Sequence, residues 1–282
     1  MTVVVVGAVN VDLVVRVPRI AAPGETVIAA GSGTGAGGKG GNQAAAVARL
    51  GGDCALVARV GPDFDPGSLA GVDLSRVRRD AEPTGLAVVL VDDGGENAIT
   101  VVPGANARLS PADVDLPAGR GVVLASLEVP LPAVLEAARR ARAAGWVFVL
   151  NPAPARPLPA ELLALTDVLV PNEHELAALG SPAALLAAGA GAVVVTLGAA
   201  GCRVHRAGEV VDVPAVRVAA VDTTGAGDAF CGTLAWALDA DRPLAEAVRL
   251  ACVAGALATR AVGARAALPT AAELLARAGV AA

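Results

Sequence analysis

Val122-Val123-Leu124, then Leu131-Pro132-Ala133-Val134-Leu135-Glu136-Ala137-Ala138-Arg139-Arg140-Ala141-Arg142-Ala143-Ala144, then Val147-Phe148-Val149-Leu150, is the passage that decides the fold. The two outer runs are short, apolar and rich in valine, the composition of strands covered on both faces. The middle run is alanine-rich, long enough for a helix, and stopped by Gly145. Strand, helix and strand in that order predict a parallel pair joined by a crossover helix. The same alternation continues outward through Val3–Val6, Gln43–Leu50 with its stop at Gly51, Ala55–Val60 and Val168–Val170. The expected architecture is therefore α/β, a doubly wound, mostly parallel sheet flanked by helices. From Gly225 onward the chain reads as helical, over Asp228–Leu238, Leu244–Thr259 and Ala271–Ala278.

Two stretches, residues 12–33 and 85–102, break the rhythm, because β-type residues there flank Gly, Pro and Asp-Asp-Gly-Gly turns. They predict a small β lid over one edge of the sheet. Val204-His205-Arg206 and Val210-Val211-Asp212 predict a further hairpin across Ala-Gly-Glu. With no internal repeat and no low-complexity linker, residues 1–282 are expected to form a single domain.

The bulk numbers narrow the function. Hydrophobic residues make up 55% of the chain and charged ones 17%, ample for a self-sufficient core. Every apolar run is cut well before the roughly 20 residues that a bilayer demands. No basic leader follows Met1, so the expected compartment is the cytoplasm. A net charge of -5 without any Lys/Arg block argues against nucleic acid or an anionic membrane as partner. Cys54, Cys202, Cys231 and Cys252 form no C-x-x-C pair and read as small core residues. His174 and His205 have no partner at metal-ligand spacing and are expected at the surface.

Gly37-Gly38-Lys39-Gly40-Gly41-Asn42-Gln43 leads into the helix at Ala44 and admits several readings. As a P-loop it fails, because Gly40 stands where a hydroxyl would hold Mg²⁺. Gly33, Gly35 and Gly38, with Asp53 about 20 residues on, match a dinucleotide fingerprint, although no convincing strand leads into it. The third reading is a sugar-binding loop in which Lys39, the only lysine of the chain, and Asn42 serve hydroxyl groups. A flexible surface turn is the plain alternative.

Val221-Asp222-Thr223-Thr224-Gly225-Ala226-Gly227-Asp228 opens the next helix. Gly225, Ala226 and Gly227 would present free N–H groups at a helix N-terminus, which suits a phosphate gaining negative charge. Asp228 beside them could take the proton of an attacking hydroxyl. Alternatively, Asp228 is only a helix cap, since Asp is a preferred capping residue.

Together and in this order, the two glycine segments resemble the paired signatures of the ribokinase-like carbohydrate kinases, the group that includes the B-type phosphofructokinases. Gly7-Ala8-Val9-Asn10-Val11-Asp12, Pro23-Gly24-Glu25-Thr26, Asn151-Pro152-Ala153-Pro154-Ala155, Asn172-Glu173-His174-Glu175 and Thr196-Leu197-Gly198-Ala199-Ala200-Gly201 extend the resemblance over nearly the whole chain. It implies transfer of the ATP γ-phosphate to a sugar primary hydroxyl, with D-ribose foremost. The alternatives are fructose, 2-keto-3-deoxygluconate or adenosine as acceptor, or a catalytically silent relative.

The resemblance also implies roles. Asn10, Asp12, Gly38, Lys39, Asn42 and Glu128 would orient the sugar, with Asp228 as base. Asn172 and Glu175 would support Mg²⁺, while Thr196, Gly198, Gly201 and Gly227 would meet the nucleotide. A K⁺ site would be built from Asp222, Thr224 and carbonyls near Ala258, Ala261 and Gly263, and the lid would pair two subunits. The chain departs from the pattern at Ala267, where a hydroxyl-bearing ligand is expected, and in shortened stretches at residues 61–85 and 175–193.

Overall fold

The computed structural model describes residues 2–280. Thirteen strands form two sheets: β1 (Thr2–Val6), β2 (Asn10–Arg16), β3 (Gly31–Gly37), β4 (Cys54–Val60), β5 (Val77–Arg79), β6 (Gly85–Val91), β7 (Asn97–Val102), β8 (Gly121–Ser126), β9 (Val147–Asn151), β10 (Val168–Leu169), β11 (Ala192–Thr196), β12 (Cys202–Arg206) and β13 (Glu209–Val213). Eight helices accompany them: α1 (Lys39–Arg49), α2 (Leu131–Ala144), α3 (Ala160–Ala164), α4 (Glu173–Leu179), α5 (Pro182–Ala187), α6 (Ala226–Asp239), α7 (Leu244–Ala258) and α8 (Ala271–Ala278).

The large sheet runs β13-β12-β11-β10-β9-β8-β1-β4-β5 and is parallel from β11 to β5, with β12 and β13 antiparallel at one edge. Strand alternation divides the core into two layers. Val3 and Val5 of β1 belong to the layer that also holds residues of α1, α6, α7 and α8, whereas Val4 and Val6 belong to the layer with residues of α2, α3 and α5. This is the doubly wound arrangement that the Val122–Leu150 passage predicts. α2 and α8 match their expected limits, and each ends at a left-handed glycine, Gly145 or Gly279.

The small sheet runs β3-β2-β6-β7, with β2 and β6 parallel and both outer pairs antiparallel. It extends further than residues 12–33 and 85–102 because the glycine run itself joins as β3. A Cβ at Gly37 would lie 2.0 Å from Asp12 Oδ1, so a larger residue there would displace that carboxylate. The register aligns Val14, Val89 and Ile99 in one row and Asp12, Ala87 and Val101 in the next, all on one face. Ile99 and Val101 of this face are exposed.

The shortened stretches still close. Between residues 61 and 85 the chain forms a short 3₁₀ turn, Pro66–Leu69, and then β5, which pairs with β4. Arg59 clamps the region, binding Asp113 through two N–H groups and Asp80 through a third, all at 2.9 Å. The stretch from 175 to 193 is spanned by the two short helices α4 and α5. Among the described residues, no helix is long and apolar enough to cross a membrane.

Candidate active site

The two glycine segments meet where the N-termini of α1 and α6 face each other. Gly38, with φ 80°, turns the chain from β3 into α1, and a Cβ there would lie 2.6 Å from the Asn10 nitrogen. α1 starts at Lys39, five residues before the expected Ala44, because Gly40 fits against the end of β1: a Cβ on it would meet the Gly7 backbone at 2.5 Å. The glycines of this run therefore admit neighbouring protein backbone as well as any ligand. The dinucleotide reading fails here, since Gly33 and Gly35 lie inside β3 of the small sheet and Asp53 accepts a hydrogen bond from the Thr2 hydroxyl.

α6 begins after Gly225, whose φ of 76° is left-handed and whose absent Cβ would sit 2.7 Å from Ala264 Cα. Gly227 opposes open space instead. The Ala226 N–H already donates to the Thr223 carbonyl at 3.2 Å, which corrects the expectation of three free donors; Gly225 and Gly227, but not Ala226, line the smaller of two cavities. Asp228 is not the cap of this helix either. It is buried in the first turn, where its Oδ2 accepts from Asn42 Nδ2 at 3.0 Å and its Oδ1 from Gln43 Nε2 at 3.3 Å. Lys39 Nζ stands 3.9 Å from the same Oδ1.

The electrostatics bind this cluster together. The charge of Asp228, opposed by burial and helped by Glu128 and Glu175, raises the Lys39 pKa and keeps it cationic. Burial raises Glu128 above the usual carboxylate range; the Lys39 N–H, which donates to its Oε2 at 2.8 Å, and the Lys39 charge only partly offset this. Burial likewise raises Asp12, with Arg265 opposing. Asn10 is buried beside Gly38, its Oδ1 accepting from Asn106 Nδ2 at 2.8 Å.

Two cavities adjoin Gly227 and share Thr196 and Thr223. The smaller, about 230 Å³, is lined by Lys39, Asn172, Glu175 and Asp228. Asn172 and Glu175 cap α4 reciprocally: Glu175 N–H donates to Asn172 Oδ1, and Asn172 N–H to Glu175 Oε2, each at 2.8 Å. The larger, about 440 Å³, takes Gly198 and Gly201 from the turn after β11, and apolar walls from Val216, Val218, Phe230 and Ala256. Cys252 also lines it, buried, with its sulfur 3.3 Å from that of Cys202. All four cysteines are buried free thiols, as expected of core residues. His174 is exposed as expected, while His205 is half-buried.

The residues proposed for a monovalent cation are brought partly together. Asp222 Oδ2 accepts from Gly263 N–H at 2.8 Å, and its Oδ1 accepts from the Thr224 N–H at 2.9 Å and hydroxyl at 2.7 Å. Burial raises the Asp222 pKa, but these donors outweigh it and leave it lowered. Ala267 adds no side-chain oxygen.

Residues 1–271 match the family model described as pfkB family carbohydrate kinase. The chain belongs to the pfkB family. It is 37% identical over 293 residues to the bifunctional ribokinase/ribose-5-phosphate isomerase A of Fructilactobacillus sanfranciscensis, covering 95% of this chain and 54% of that protein, so it spans about half of that relative. To the ribokinase of Staphylococcus aureus it is 36% identical, covering 95% of this chain and 96% of the relative. Its fold superposes on the structure of Arabidopsis thaliana ribokinase complexed with ribose and ATP with a TM-score of 0.88 at 32% identity, over 99% of each chain.

Several residues at this pfkB-family site carry no signal in the sequence. Gln43 is fully buried and touches both Asp228 and Asn151, yet a glutamine inside a helix is unremarkable locally. Val216 and Val218 lie in irregular chain between β13 and α6. Arg265 arrives from 223 residues away to donate to Asn42.

Proposed function

We propose that this chain transfers the γ-phosphate of ATP to the primary hydroxyl of a sugar, D-ribose giving ribose 5-phosphate, in the cytoplasm. The observation that carries the reading is Asp228: a buried carboxylate in the first turn of α6, beside the glycines that face the smaller cavity. The larger cavity would take the adenosine part of ATP against Val216, Val218 and Phe230, with Thr196, Gly198 and Gly201 at its turn. The phosphates would then reach through the shared opening at Gly227 toward Asp228.

On the acceptor side, Asn10, Asp12, Gly38, Lys39, Asn42 and Glu128 would hold the sugar hydroxyls. The hydroxyl proton passes to Asp228, the freed oxygen attacks phosphorus, and the leaving β-phosphate departs as ADP. Lys39 and the Gly225 and Gly227 N–H groups oppose the negative charge on the transferring group. No covalent enzyme intermediate is needed, so positioning and charge stabilisation supply the rate.

Glu175 and Asp228 are the two carboxylates lining the smaller cavity; with Asp228 as the base, Asn172 and Glu175 would hold a Mg²⁺ ion through water, since Mg²⁺ keeps much of its hydration. Bound there, the ion would neutralise phosphate charge. K⁺ would lie against Asp222 with carbonyls of Thr224, Ala258, Ala261 and Gly263, completed by backbone oxygen because Ala267 offers none. We further propose that two copies pair through the apolar face of the small sheet, acting as a lid.

The test is ADP release from Mg-ATP and K⁺ with ribose, 2-deoxyribose, fructose, adenosine and 2-keto-3-deoxygluconate offered separately. Ribose-dependent ADP well above the control without sugar is expected. ATP binding without ADP from any acceptor would remove the proposal.

A further inference from the structure

We infer that Arg265 is a positioning residue of this site, fixing the orientation of the Asn42 amide and through it the Asp228 carboxylate. The inference rests on Asp228 being the base proposed above. Arg265 lies in the irregular segment between α7 and α8 and spends three N–H groups on protein acceptors. Its Nε donates to Asn42 Oδ1 at 2.8 Å, Nη1 to the Ser68 carbonyl at 2.8 Å, and Nη2 to the Gly37 carbonyl at 3.1 Å.

The chemistry of the donor decides what this does. A carboxamide has one accepting end and one donating end, and a guanidinium can only donate. Facing Arg265, Asn42 must therefore present its oxygen, which leaves its NH₂ group for Asp228 Oδ2 at 3.0 Å. A neutral amide at position 265 could donate or accept and would leave Asn42 free to flip. The guanidinium fork, pinned at Ser68 and Gly37 as well, supplies a fixed direction.

The glycine run is shaped to receive it. A Cβ on Gly41 would lie 2.6 Å from Arg265 Nη2, so the absence of a side chain there makes room for the guanidinium. Charge gives a second reason for its presence. The charges of Asp228 and Asp12 act on Glu128, and that of Asp228 on Asp12, while Arg265 opposes the latter, so Arg265 stands beside Lys39 as a second cation of this cluster. The same segment carries Gly263, bonded to Asp222, so it touches both glycine signatures.

The experiment measures kcat and KM for ribose and ATP in the full chain bearing Arg265→Met, Asn42→Ala, both together, and separately Gly41→Ala. Arg265→Met should lower kcat about ten-fold or more with the ATP KM within about two-fold. In the Asn42→Ala background the same change should cost less than about two-fold, because its intermediary is gone. Gly41→Ala should reproduce part of the kcat loss. Should Arg265→Met fold poorly, Arg265→Lys, which keeps the charge and loses the fork, is read the same way. Equal losses in both backgrounds, or an unchanged kcat, would overturn the inference while leaving the kinase reading intact. A wild-type protein inactive with every acceptor would overturn both.

Discussion

Lys39 and Asp228, 189 positions apart in sequence, face each other with 3.9 Å between Nζ and Oδ1, each at the N-terminal turn of its own helix. The pairing places one cation and one carboxylate at the seam where the two glycine segments meet. Amide donors from Asn42 and Gln43 occupy the two Asp228 oxygens, so its direction is fixed before any substrate arrives.

Asp228→Ala removes the proton acceptor and leaves the Asn42 and Gln43 amide donors and Lys39 without this partner, while the Gly225 cap of the helix is unchanged. The expected outcome is a fall in kcat of about 10³-fold or more, with ribose and ATP dissociation constants within a few-fold. Steady-state ADP release and calorimetric titration of each ligand check it. Retained turnover would remove Asp228 from its role.

Two neighbouring glycines should respond in opposite ways. Gly225→Ala forces a left-handed backbone and a contact of 2.7 Å with Ala264, so it should cost about 2 kcal/mol or more of stability. A Cβ at Gly227 would meet nothing within 4 Å, so Gly227→Val should fold with little change in Tm, but it should raise the ATP KM about ten-fold or more by filling the phosphate approach. Thermal melts and ATP kinetics on both variants separate the two. A well-folded Gly227→Val protein with normal ATP kinetics would place the phosphates elsewhere.

The fold was legible wherever local pattern and global burial agree. Leu131–Ala144 and Ala271–Ala278 carry helical runs stopped by glycine, and both match their helices to the residue. Gly31–Gly37 carries only a weak strand signal in its sequence, because alternating glycines have poor strand propensity. It is a strand for a long-range reason, the antiparallel ladder it forms with β2, from Asn10 opposite Gly37 to Arg16 opposite Gly31. Asp228, Lys39 and Asn42 stood out by motif, whereas Gln43 and Arg265 owe their place to contacts across 185 and 223 residues that no window contains.

Glu128 should trade stability for binding. Burial raises its folded pKa, with only partial offset from Lys39, so the stability it contributes is fully present below its ordinary value of 4.5 and is lost as pH rises through the folded value. At pH 7.5, Glu128→Gln removes that penalty while its amide oxygen can still accept the Lys39 N–H. The variant should melt at or above wild type at pH 7.5, lose that advantage near pH 4, and show a ribose KM raised about ten-fold. A variant whose relative stability is worse at pH 7.5 than at pH 4 would contradict the assignment.

The small sheet supplies the last test. Ile99 is 58% exposed and Val101 45%, on the same face as Asp12 by register, which is a costly place for apolar side chains in a lone chain. Pairing two such faces about a twofold axis would bury each residue twice, so a single charge introduced there counts twice against the dimer. Wild type should run in light scattering at twice the 27.5 kDa chain mass, and Ile99→Asp should run as the single chain with a higher ribose KM. The KM effect follows because the face that loses its cover also carries Asp12. A monomeric wild type would end the pairing proposal, and a monomeric variant with unchanged KM would show that pairing is not needed to complete the sugar site.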